Sequence, residues 1–89
     1  AAMKIGRLLK ETSVGKQVLC VTHSAQIAAF ADNHLQIENK TDESATFTSV
    51  RELHVDERYR EIARIISGEN ITETSLMNAK EMILNAKNI

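Results

Sequence analysis

The apolar positions of this chain fall into several distinct rhythms. Near the start, Ala1, Ala2, Ile5, Leu8 and Leu9 recur at steps of three and four, with Lys4, Arg7, Lys10 and Glu11 between them. That period gathers the apolar side chains on one side of an amphipathic helix. Residues 12–16, TSVGK, interrupt it, and Gly15 is free to take a left-handed backbone there. A continuous apolar run follows, with Val18, Leu19, Cys20 and Val21 inside residues 17–22. Such a run predicts a strand buried on both faces, as in a parallel α/β sheet. Ser24 then caps a short helix carrying Ile27, Ala28 and Phe30.

Alternation takes over from residue 33 to 38, with Leu35 and Ile37 expected inward, and residues 46–53 are rich in β-formers. The polar NKTDES between them, residues 39–44, reads as a hairpin turn. Asp56 is the expected N-cap of a helix whose Tyr59, Ile62, Ala63 and Ile66 form one stripe, and Gly68 ends it. A last helix, from about residue 72 to 86, brings Leu76, Ala79, Ile83 and Ala86 together. The order α, β, α, β, β, α, α is mixed α/β with one strand that reads as central. A doubly wound sheet needs more, so the middle of the sheet is expected to lie elsewhere.

Composition narrows the picture. In 89 residues, 43% hydrophobic and 3% aromatic, there is room for one domain with an aliphatic core. A chain this short buries only about 60% of its unfolded surface, so a missing partner surface would matter. Lys and Arg number 11 against 12 Asp and Glu, for a formal net charge of -1. No overall basic footprint of the kind duplex DNA selects is present, and direct groove reading by these residues is not expected. The single cysteine, Cys20, provides no disulfide framework and fits a reducing compartment such as the cytoplasm. The apolar runs are too short for a membrane span, and the opening Ala1-Ala2 is read as a processed start or a piece cut from something longer, the second being favoured.

Several kinds of active site fail on the residues. A P-loop requires G-x-x-x-x-G-K-[ST], so that backbone amides approach the phosphates and a hydroxyl holds magnesium, but Gly15-Lys16 is followed by Gln17 and the earlier glycine position is Lys10. A Walker B acid would close the apolar run, which ends instead in Thr22-His23. Cys20, His23, His34 and His54 lack paired metal-ligand spacing, and along a strand Cys20 and His23 would point to opposite faces. Ser13 and Ser24 have no nucleophile-elbow context. His34 and His54, at the two ends of the hairpin, read as surface histidines. His23 is the residue that remains. At the carboxyl end of a strand, an imidazole can donate to a γ-phosphate oxygen or orient an attacking water, with Ser24 beside it; it can equally do no more than cap the strand.

Two longer stretches carry a family resemblance. QVLCVTHSAQIAAFADNHLQIEN and EIARIISGENITETSLMNAKEMI resemble the carboxyl-terminal end of the RecN family, bacterial SMC-like ATPases of DNA double-strand break repair and recombination. The resemblance covers nearly all of residues 1–89. It implies an α/β fold forming part of an ABC/SMC-type, P-loop NTPase-like ATPase head: an H-loop strand, a hairpin and two carboxyl-terminal helices, beginning just after the Walker B and D-loop segments. It further implies that His23 is the switch histidine at the γ-phosphate of ATP, with Ser24 at the same site. ATP and Mg belong to the whole head, and these residues alone are expected to bind neither. The implied partners are the rest of the head, a second head in a homodimer and, through the whole protein, DNA in the bacterial nucleoid, with no membrane involved. One departure concerns the loop: family members often carry a proline where Ser24-Ala25 stand in THSAQ. Outside the resemblance, the residues also allow a small non-catalytic interaction domain in which His23 is structural.

Overall fold

In a computed structural model, residues 1–88 are described. Six elements follow one another: α1 (Ala2–Thr12), α2 (Ala25–Ala28), β1 (Leu35–Thr41), β2 (Thr46–Glu52), α3 (Val55–Ser67) and α4 (Glu73–Lys87). The architecture is a small α/β unit with one two-stranded antiparallel sheet. Helices α3 and α4 pack on each other, and α2 joins α1 to α3. The core lies between them. It contains Ala29 and Phe30 just after α2, Ile62 and Ala63 on α3, and Ala79, Ile83 and Ala86 on α4, with Tyr59, Leu76 and Met82 against its rim. Small residues dominate it, which lets the helices approach closely and leaves Ile62, at 0% exposure, as the largest side chain fully enclosed.

The two long helices form for the reasons their sequences suggest. In α4, the Thr72 hydroxyl accepts the Ser75 N–H at 3.1 Å, while Ser75 Oγ accepts the Thr72 N–H and donates back to the Thr72 carbonyl, both at 2.9 Å. This reciprocal box satisfies backbone donors that the first helical turn would leave unpaired. Helix α3 stops at Gly68, whose φ of 77° is a conformation glycine tolerates and side chains resist. Its start differs from the expected one. His54, not Asp56, is the N-cap, and Asp56 lies within the first turn. The reason is Glu57, whose carboxylate reaches back to the His54 N–H at 3.1 Å and sets the boundary one turn before it.

Helix α1 forms as expected, but it turns a different face inward. Ile5 and Leu8 are exposed, and Gly6 is its buried residue, pressed against the ring of Phe30. Gly15 takes a φ of 72° in the turn that follows, as expected.

The largest correction concerns residues 17–22. They form neither strand nor helix, and Leu19 and Val21 are 83% and 84% exposed. A strand needs a neighbour to satisfy its backbone and cover its side chains. Both strands of the sheet are used up in the hairpin, so nothing among the described residues pairs with this run.

The hairpin forms with its turn displaced. Leu35 pairs with Glu52 and Ile37 with Val50, and β1 continues through Asn39, opposite Thr48, to Thr41, opposite Thr46. The turn is therefore residues 42–45. There the Asp42 carboxylate accepts the Ser44 N–H at 2.8 Å, the Ser44 hydroxyl at 2.9 Å and the Ala45 N–H at 3.0 Å. Leu35 and Ile37 are exposed rather than inward. Residues directly opposite in an antiparallel pair share a face, so these two side with Val50, which is also exposed. The other face meets α3 through polar contacts: Gln36 donates to Glu61 at 3.0 Å, and Arg51 pairs with Glu57. No helix among the described residues is long and apolar enough to cross a membrane.

Candidate functional site

His23 stands at the end of the exposed apolar run and immediately before the cap of α2. Its ring is exposed and makes no hydrogen bond among the described residues. The local backbone is held on both sides of it. Ser24 donates its N–H to Thr22 Oγ1 at 3.0 Å, which closes a small loop around His23, and Ser24 Oγ accepts the Ile27 N–H at 3.4 Å as the cap of α2. Thr22 thus stabilises the bend that carries His23. Ser24 has its amide and one acceptor position occupied, so it offers a ligand chiefly its hydroxyl hydrogen.

Beside Ser24 opens a shallow groove of about 530 Å³. Ala25 and Gln26 line it from α2, Ile65 and Ile66 from α3, and Asn78, Glu81, Met82 and Asn85 from α4. One expected core position is affected: Ile66 is exposed at its wall, and Met82 beside it is part-buried. Among the described residues no three His, Cys, Asp or Glu side chains gather as metal ligands do.

Two residues on the far side of α2 had no evident role in the sequence. Arg58 of α3 sends Nη2 to the carbonyls of Ala28 and Ala29, at 3.0 and 3.1 Å, and so satisfies the end of α2. Its Nε is buried without a partner. His34, expected at the surface, is half-buried, and its Nδ1 is likewise buried and unpartnered. Burial holds the His34 pKa below the usual histidine value, the Arg58 charge pushes the same way, and Glu61 opposes them. Arg58 could have been noticed from its place four residues before Ile62, on the buried side of an amphipathic helix. Nothing in the sequence pattern distinguishes His34.

The fold and site therefore define a small α/β segment that presents a solvent-facing histidine between an unpaired apolar run and a capped helical turn. No family model matches the chain. It is, however, similar over nearly its whole length to curated proteins named DNA repair protein RecN. Identity is 45% over 82 residues with that of Rickettsia bellii, covering 92% of this chain and 15% of the relative. It is 40% over 87 residues with that of Streptomyces coelicolor, covering 98% and 15%, and 38% over 88 residues with that of Bacillus subtilis, covering 99% and 15%. The chain is homologous to a segment of RecN, consistent with the carboxyl-terminal one, and it spans about 15% of the length of the curated relatives it matches.

Proposed function

We propose that these residues form the carboxyl-terminal part of a RecN-type ATPase head acting in the repair of DNA double-strand breaks by recombination, and that His23 is its switch histidine. The observation that carries this reading is the placement of His23: exposed, unpartnered, and fixed by the Thr22–Ser24 contact at the tip of an apolar run, in a chain similar to RecN from end to end. An imidazole in that position donates to a γ-phosphate oxygen or orients the attacking water as two heads engage, with the Ser24 hydroxyl beside it. ATP and Mg are held by the remainder of the head, because phosphoryl transfer needs a phosphate cradle and metal ligands that one histidine and one serine do not supply.

In that setting, residues 17–22 become a strand of the head's sheet. The exposure of Leu19 and Val21 supports this, since a run apolar on both faces is stable when flanked by other strands. The partners are the rest of the head, a second copy in a head-to-head homodimer, and DNA bound through the whole protein. The setting is the bacterial cytoplasm, at the nucleoid.

The test is His23→Ala in a full-length RecN-type protein carrying this segment. A contact made chiefly in the transition state contributes to rate rather than to ground-state affinity, so turnover should fall on the order of a hundredfold while ATP binding is retained. Wild-type turnover would reduce His23 to a strand cap.

A further inference from the structure

The four residues of α2 are too few for a helix to hold its own geometry. What fixes α2 is the hold on its two ends. At one end Ser24 caps the Ile27 N–H. At the other, the Arg58 guanidinium bridges the carbonyls of Ala28 and Ala29, reaching across from α3. A helical turn of this size is about 6 Å long, so a displacement at Ala28 reaches Ser24 and His23 with little loss.

Resting on the reading of His23 as the switch histidine, we propose that Arg58 is a positioning residue for it: by clamping the carboxyl end of α2, Arg58 sets the direction in which the His23 loop is presented to the nucleotide. The contact suits this role. Nη2 alone meets both successive carbonyls, at 3.0 and 3.1 Å, and its two hydrogens lie in the rigid guanidinium plane, so the contact fixes direction as well as distance. Arg58 is also confined on its other sides. Arg58 is part-buried, its Nε lies out of solvent, and its charge adds to burial in lowering the pKa of His34. Asp32, across from it, is paired with Lys10 of α1. The arginine therefore ties α3 to the end of α2 directly, in a neighbourhood that also holds the Lys10–Asp32 pair and His34.

The experiment uses a full-length RecN-type protein carrying this segment, with Arg58→Gln, Arg58→Lys, His23→Ala and, as a control on the same helix, Arg60→Gln at an exposed position. Two readouts are taken: ATP turnover against ATP concentration, and hydrogen exchange of residues 22–30. Arg58→Gln should lower kcat roughly tenfold or more with KM for ATP unchanged, since small misplacement of a reacting group is costly to the chemical step. Exchange over residues 22–30 should rise while that of α4 does not. Arg58→Lys should recover part of both and covers the case in which Arg58→Gln does not fold, while Arg60→Gln should match wild type. Wild-type turnover and exchange in Arg58→Gln, beside an impaired His23→Ala, would overturn the positioning role. Wild-type turnover in His23→Ala would overturn the switch reading instead, and unchanged exchange would overturn the clamp independently of His23.

Discussion

Gly6 of α1 lies directly against the ring of Phe30, close enough that a Cβ at position 6 would stand 2.8 Å from Cε2 and 3.2 Å from Cγ, and nearer still to Cδ2. Phe30 is buried in the helical core and cannot swing aside without opening it. Replacing a helical glycine by alanine ordinarily stabilises by about 1 kcal/mol, whereas forcing an extra carbon into a packed contact costs about 1–3 kcal/mol. The second effect should win here. Gly6→Ala is expected to lower the urea midpoint, and Gly6→Ala combined with Phe30→Leu should be less destabilised than the two single changes added together. A Gly6→Ala protein more stable than wild type would show that the ring yields.

At the start of α4 the expected loss is that of a helix cap. Thr72→Ala removes the acceptor of the Ser75 N–H and should cost about 1 kcal/mol. Ser75→Ala removes the reverse bond at a buried position and leaves the Thr72 N–H without its partner. Because each change disables half of the same box, the double variant should lose less than the sum. Strict additivity in thermal melts would mean that the two bonds act separately.

Acid should destabilise the chain in two stages, and His34 accounts for the first. Its pKa is lowered in the folded state, by burial above all, whereas the unfolded chain titrates near the ordinary value of about 6.5. The unfolded state therefore binds more protons in the interval below that value. The contribution of neutral His34 is complete above the unfolded pKa and is lost as pH falls towards the lowered folded one. Asp42, held low by the Ser44 and Ala45 donors, and Glu57, held low by Arg51 and the His54 N–H, lose theirs at more acid pH, as pH falls through their own depressed folded values. In His34→Gln the urea midpoint should change less between about pH 7.5 and about pH 5.5 than in wild type. Equal slopes in the two proteins would assign the loss to another group.

These cases show where the sequence was informative. Helices α3 and α4 could be read from it because an apolar stripe acts locally, and Ile62, Ala63, Ala79, Ile83 and Ala86 are core residues in both sequence and structure, although the cap of α3 fell at His54 and not at Asp56. The inward face of α1 was hidden, since a glycine meeting Phe30 leaves no hydrophobic signature. Leu35 and Ile37 alternate as half-buried strand residues do, yet alternation fixes only that they share a face, not whether anything covers it. His23 stood out as an ionisable residue ending an apolar run. Arg58 and His34 did not, because the contact that gives Arg58 its role joins positions 30 residues apart.

The run at 17–22 raises the last expectation, about the behaviour of the 89-residue chain in isolation. Leu19 and Val21 are almost fully exposed, Val14 is exposed just before them, and Leu35, Ile37 and Val50 form a second uncovered apolar face on the hairpin. An apolar segment with unpaired backbone donors and acceptors is a template for another strand. A second copy offers the same segment, so the chain should associate, as a homodimer through this edge or as larger aggregates. Changing both Leu19 and Val21 to Lys places charge on the edge without removing any packed side chain, because neither residue belongs to the core. The double variant should therefore melt as wild type does while scattering less light at micromolar concentration. A wild-type chain that runs as a single 9.9 kDa species, with a cooperative melt, would show that the exposed run is harmless and that the helical core suffices alone.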